Sequence, residues 1–250
     1  MKLNNFEIPK YLLKFFEKKE YAEDFLNGKI YLKESGYFRK LEDNFRGDVN
    51  DGVKPIDMTG ETIFLESPNE GIKLPINNII NFTESFEGDE KVPIFCSSLM
   101  DDSILEEIDD TSCKYRDEFL EELKKFGQYV AIISYDEFMN KIRSKMKSDN
   151  KELAALCSKV DYVNIMNKYN FTGSNNCSDV EERYKHFFKK DESYKWQNEF
   201  RLLLLSKNEN KLIDNENDSF ILEVGEFKYA LITTADTLNG IIKVENIKNK

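Results

Sequence analysis

The stretch 196–205 (WQNEFRLLLL) limits what this chain can fold into more than any other. It is the most apolar strand-like segment in the chain, and it changes character partway along. Polar residues dominate up to Arg201, interrupted by Trp196 and Phe200, and then four leucines follow without a break. Alternate side chains on a strand share a face. Gln197, Glu199 and Arg201 are therefore expected on one side, with Trp196, Asn198 and Phe200 on the other. Three polar groups beside an apolar run are costly unless they face solvent or a polar cleft. A strand whose start borders a site and whose end crosses the core meets that condition. The bland alternative is a solvated face.

Around this strand the apolar spacing switches between strand and helix periods. Residues 8–16 read as a short strand or extended lead-in. Residues 17–26 read as a helix with Tyr21, Ala22, Phe25 and Leu26 on one face, stopped by Asn27-Gly28. A strand is expected at 29–32, a polar loop at 35–52, and short strands at 62–65, 78–80 and 92–96, punctuated by Pro68, Pro75 and Pro93. The acidic stretch 101–110 reads as a solvated loop or helix start. Helices follow at 115–126, 135–146 and 181–189, and strands at 129–133, 160–165, 220–224, 229–232 and 240–242. Residues 207–218 read as a long hairpin loop. No repeat and no shift in composition divides the chain. The expectation is a single α+β domain over 1–250, mixed and mostly antiparallel, with helices packed around the sheets.

Composition narrows the function. There are 36 Lys+Arg against 47 Asp+Glu, a net charge of -11, which disfavours broad non-specific nucleic-acid binding while leaving room for a local basic groove. Aromatic residues make up 13%, enough apolar surface to argue against disorder. No apolar run approaches the ~20 residues of a membrane span, and MKLNNFEIPK lacks the apolar core of a signal peptide. Cys96, Cys113, Cys157 and Cys177 form no CxxC pair, and with a single histidine, His186, the sequence argues against a Cys/His zinc site. A cytoplasmic protein with reduced thiols, free of membrane contact, is the expectation. Only 11 glycines and no GxGxxG or Walker A pattern exclude a glycine-rich phosphate cradle.

Phe188-Lys189-Lys190 followed by Tyr194 to Leu202 resembles the C-terminal signature of a family of uncharacterised bacterial proteins. That signature is Phe-x-Lys, a gap, then [Gln/Glu]-x-Glu, an aromatic residue and Arg. The family's N-terminal elements resemble 12–16, 21–26, 28–32 and 43–52 here. More loosely, a [Gln/Glu]-x-Glu strand preceded by an early strand and a Ser/Tyr-bearing stretch is similar to the mono-ADP-ribosyltransferases. That resemblance implies a split sheet, NAD as substrate, and transfer of ADP-ribose to a macromolecular acceptor, protein or nucleic acid. It also fits a role in phage defence or toxin action, with an antitoxin or regulatory protein as partner. Glu199 would be the catalytic carboxylate, because glycosidic cleavage builds positive charge on the ribose. Gln197 would orient the acceptor, and Ser35 would hold the dinucleotide. The first-strand Arg of that family is absent; Lys14 stands in for it, without the forked donors that clamp a pyrophosphate.

Other candidates have plainer readings beside them. Tyr37 and Arg39 offer an aromatic platform and a phosphate contact, or a loop surface. Glu42, Asp43, Asp48 and Asp51 offer oxygens to a hard cation but lack EF-hand spacing, so no metal site is assigned. His186 and Cys96 are read as packed residues before catalytic ones. Two further readings remain open: a non-catalytic nucleotide- or protein-binding module using Arg39 and Arg201, and a metal-dependent hydrolase built on Glu199 and the loop acids.

Overall fold

The computed structural model describes residues 2–3, 6–7, 10–41, 52, 54–56, 63–66, 73–76, 82–84, 88–109, 112–149, 152–163, 183–206, 212–213, 218–239 and 242–243. Its main sheet is built from β1 (Tyr11–Phe16), β2 (Lys29–Glu34), β3 (Pro93–Met100), β4 (Tyr129–Ser134), β5 (Leu153–Lys159), β6 (Glu199–Ser206), β7 (Ser219–Glu223) and β8 (Ala230–Thr234). The helices are α1 (Lys19–Leu26), α2 (Ser35–Lys40), α3 (Asp117–Leu123) and α4 (Tyr135–Ser148). The fold is mixed α+β, and every pairing in the main sheet is antiparallel. No described helix is long and apolar enough to cross a membrane.

The strands run in the order β5-β6-β3-β1-β4-β8, and the sheet forks at β3. One edge of β3 pairs with β6, with Glu199 opposite Ser98 and Leu203 opposite Ile94. Its other edge is divided. Leu13 to Tyr11 of β1 lie opposite Ser98 to Met100, whereas Lys33 and Glu34 of β2 lie opposite Ile94 and Pro93. On that edge, residues 95–97 face no strand among the described residues. Backbone polar groups cannot be left unpaired cheaply. Lys14 answers part of that need: its Nζ donates to the Cys96 carbonyl at 2.7 Å and lies 5.1 Å from the Phe95 ring centre.

The two faces of the sheet are filled differently. One packs Leu12, Phe95, Ala131, Phe200, Leu202 and Leu204 against Phe25 of α1 and Phe138 of α4. Leu202, Leu203 and Leu204 are fully buried, each favourable by about 1.5–3 kcal/mol. On the other face lie two separate apolar clusters. Leu13, Phe15 and Met100 pack beneath α3, and Ile94, Leu203 and Leu205 pack with Phe187. Between them, Ser98, Cys96, Glu199 and Arg201 form a polar gap. Helix α4 is anchored at its start by Ser134, whose hydroxyl accepts from the Glu137 N–H at 3.4 Å. The Glu137 carboxylate in turn accepts from the Lys228 and Tyr229 N–H groups, tying the helix to the loop before β8.

Several expectations change. The 35–52 loop opens with helix α2, and the acidic 101–110 stretch forms a strand, Leu105–Asp109, paired with Ser112–Tyr115. Leu105 is buried while Glu107, Ile108 and Asp109 are exposed, so the far end of the strand, with its acidic residues, lies in solvent. Of the expected 181–189 helix, residues 183 and 184 are helical and Lys185–Phe188 continue as a 3-10 turn, while Lys189–Asp191 forms a strand parallel to Asp161–Val163. The strand expected from 196 begins at Glu199, after a 3-10 turn over Glu192–Gln197. Residues 207–218 do not close a hairpin, because β6 pairs with β5 and β3 while β7 pairs with β2. Strand β5 went unread: its Ala-Ala-Leu-Cys centre is half-buried at the sheet's edge and carries no clean alternation. The expected strand at 78–80, the acids at 42, 43, 48 and 51, and Cys177 lie outside the described residues.

Candidate functional site

The fork opens into a cavity of about 320 Å³. Lys14 of β1 lines it, with Tyr31 and Lys33 of β2, Tyr37 and Phe38 of α2, and Cys96, Ser97 and Ser98 of β3. Lys190 lines it from the Lys189–Asp191 strand, Gln197 from the end of the 3-10 turn and Glu199 from the start of β6. Four predicted site residues, Glu199, Gln197, Lys14 and Tyr37, therefore meet in one space from distant parts of the chain.

The local backbone explains how the last three arrive. Asn198 adopts a left-handed conformation (φ 42°), which Asn tolerates better than most residues. Its side-chain amide donates to the Leu99 carbonyl and to Asp101 Oδ1, while its own carbonyl accepts from the Leu99 N–H at 2.8 Å. This residue ends the 3-10 turn and starts β6, leaving Gln197 and Glu199 both within reach of Lys190. The Lys190 Nζ lies 2.8 Å from Gln197 Oε1 and 3.4 Å from Glu199 Oε2.

Glu199 is 6% exposed and held from both sides. Arg201 Nε donates to Oε1 at 2.7 Å and Nη2 to Oε2 at 3.2 Å, while Nη1 donates to the Phe187 carbonyl at 2.6 Å. Burial alone pushes the Glu199 carboxyl up. The Arg201 guanidinium and then the Lys190 ammonium outweigh it and hold the group well below the usual carboxylate range. The Glu199 N–H donates to the Tyr162 hydroxyl at 2.8 Å. The result is an immobile carboxylate that is ionised at neutral pH and faces a cavity. Burial, reinforced by the Glu199 charge, pushes the Cys96 thiol up, so Cys96 contributes a neutral thiol and no thiolate nucleophile.

Ser35 and Arg39 do not line the cavity. Ser35 is buried at the start of α2, its hydroxyl donating to the Asp89 carbonyl and its N–H to the Val92 carbonyl. It joins α2 to the 88–92 turn. Arg39 is half-buried toward the end of α2. The serines that do line the cavity are Ser97 and Ser98, and the Ser97 hydroxyl, in a residue 6% exposed, has no hydrogen-bond partner among the described residues. Buried hydroxyls are seldom left that way. The sequence carried a signal for it: Ser97-Ser98 interrupts the apolar run of β3 (PIFCSSLM), as polar residues do where a strand borders a site. Lys190 was legible only as part of the Phe-x-Lys signature.

His186 is buried with its Nε2 3.3 Å from Asp89 Oδ2, and does not line the cavity. Among the described residues no three His, Cys, Asp or Glu side chains converge as a metal-ligand set. The cavity wall carries three lysines, Lys14, Lys33 and Lys190, against one carboxylate, a positive excess within a chain of net charge -11. Lys33 is also ion-paired with Asp218. This polarity suits an anionic ligand that also presents apolar or aromatic surface. No protein-family model, no curated protein and no solved structure matches the chain.

Proposed function

We propose that the fork cavity binds NAD, and that the protein cleaves its nicotinamide bond and transfers ADP-ribose to a macromolecular acceptor. The observation that carries this reading is the convergence of Glu199, Gln197, Lys14 and Tyr37 on one cavity. Bond cleavage leaves positive charge on the ribose, and a carboxylate already ionised and fixed in place stabilises that charge without reorganising. Arg201 and Lys190 are positioning residues, holding Glu199 in its charged form. Lys14 supplies a cation beside the fork for the pyrophosphate, as a point charge. Transfer to an acceptor of this kind fits an effector in phage–host conflict.

A second reading is a nucleotide-binding module without catalysis. It is favoured by the engagement of both Glu199 oxygens by Arg201 and Lys190, an arrangement that also serves to keep a binding site rigid.

Nicotinamide release from NAD separates the two, measured with and without cell extract as acceptor. Because Glu199→Gln disturbs a buried charge network, each variant is first checked for folding by circular dichroism. Gln197→Ala, which removes no charge, is run alongside. The transferase reading expects release by the wild type, loss with folded Glu199→Gln, and reduced transfer with Gln197→Ala. NAD binding without release, with or without extract, would leave the binding module standing.

A further inference from the structure

The cavity opens onto an unusually apolar stretch of sheet surface. Tyr31 and Tyr37 line its mouth, 52% and 37% exposed. Ile221, 55% exposed, lies opposite Tyr31 in the β2–β7 register and continues the same face. Of the seven large apolar side chains exposed among the described residues, three gather here. Singly scattered ones need no account, but a group joined to a cavity does. Lys33 stands among them: its Nζ lies 4.5 Å from the Tyr37 ring centre, pairs with Asp218, and interacts with the Tyr31 hydroxyl.

Size adds a second constraint. At about 320 Å³ the cavity is near the small end of ligand pockets, which run from about 300 to 1,000 Å³. One nucleotide half fills it, and the other half of a dinucleotide must lie outside. The surface continuous with the mouth offers two tyrosine rings, an aliphatic neighbour and an ammonium. Such a surface stacks a flat base through its π-face and attracts a nearby phosphate.

Resting on the NAD reading, we infer that Tyr31 and Tyr37, with Ile221 beside them, form an outer subsite for the purine ring, with Lys33 directed to the pyrophosphate. Glu199, Gln197 and Lys190 then serve the nicotinamide-ribose half inside the fork.

Calorimetric titration of NAD and of nicotinamide mononucleotide, which lacks the adenosine half, tests this on wild type, Tyr31→Ala and Tyr31→Phe. Tyr31 is exposed, so these substitutions leave the core intact. The expected result is tighter binding of NAD than of the mononucleotide by wild type. Tyr31→Ala should weaken NAD about tenfold while leaving the mononucleotide unchanged, and Tyr31→Phe should retain wild-type affinity. Equal NAD binding by wild type and Tyr31→Ala overturns the subsite while the NAD reading survives. Equal weakening of both ligands also overturns it, since Tyr31 would then serve the inner half. Binding of neither ligand by wild type removes the NAD reading and the subsite together.

Discussion

The two faces of the sheet at β3 and β6 solve the same burial problem in opposite ways. Under α1 and α4, Phe95, Phe200 and Leu202 pack with Phe138, whose ring lies 5.6 Å from that of Phe95 and 6.0 Å from that of Phe200. On the other face, one residue along each strand, Cys96, Ser98, Glu199 and Arg201 occupy a gap between two apolar clusters. Apolar packing yields stability in proportion to the area it removes from water. A buried ion network yields little net stability, since desolvation offsets the attraction, but it fixes where each charge stands. The difference locates the site: the face that forgoes packing is the one that carries the chemistry.

Breaking the ion network should have the largest effect. Arg201→Met strands the Glu199 carboxylate and is expected to cost about 3–5 kcal/mol in denaturant unfolding. Leu202→Ala, across the sheet, should cost a similar about 2–5 kcal/mol for a different reason, a cavity left in a packed layer. Compensation distinguishes them. Combining Arg201→Met with Glu199→Leu and Lys190→Met should recover most of the loss, because an apolar set of similar volume avoids the desolvation cost. A loss from Arg201→Met below about 1 kcal/mol would show that the network does not hold this face together.

Acid sharpens the same contrast with a smaller effect. The folded Glu199 carboxyl titrates below its ordinary value of 4.5, so its stabilisation is fully present above that pH and is lost as pH falls through the lower folded value. Unfolding free energy should therefore drop more steeply below pH 4.5 in the wild type than in Glu199→Gln. Parallel slopes would mean the carboxyl is not held down by its partners. Leu202→Ala should shift the whole curve without changing its acid slope.

Ser97→Ala should have the smallest effect on folding. Its hydroxyl gives up no hydrogen bond to any described residue, so stability should stay within about 0.5 kcal/mol of wild type. A ligand that uses the hydroxyl would nevertheless bind the variant more weakly. A loss well above that margin would mean the hydroxyl has a structural partner.

How much of this was legible varies residue by residue. Helix α4 could be read from Ser134, Glu137, Phe138 and Ile142, because capping and a 3.6-residue period are local properties. The same holds for the Asn27-Gly28 stop, where Gly28 takes φ 92° and a side chain would collide with the Gly225 backbone. The opposite faces of Glu199 and Phe200 followed from alternation alone. Ser35 drew attention by its place after β2, yet its neighbours in space are Asp89 and Val92, which no local pattern shows. Lys190 depended on a left-handed Asn198 bringing Gln197 and Glu199 to one ammonium.

The sequence by itself determined an α+β chain with a central leucine strand whose first residues are polar, since propensity and period act over a few residues. The tertiary structure alone decided that β3 divides its edge between β1 and β2, that Lys14 reaches the cavity, and that Ser97 and Ser98 rather than Ser35 meet it. Those outcomes depend on register between strands distant in sequence, with Glu34 opposite Pro93 and Tyr11 opposite Met100. Such pairing is selected by the packing of the whole sheet and leaves no mark in any short stretch of residues.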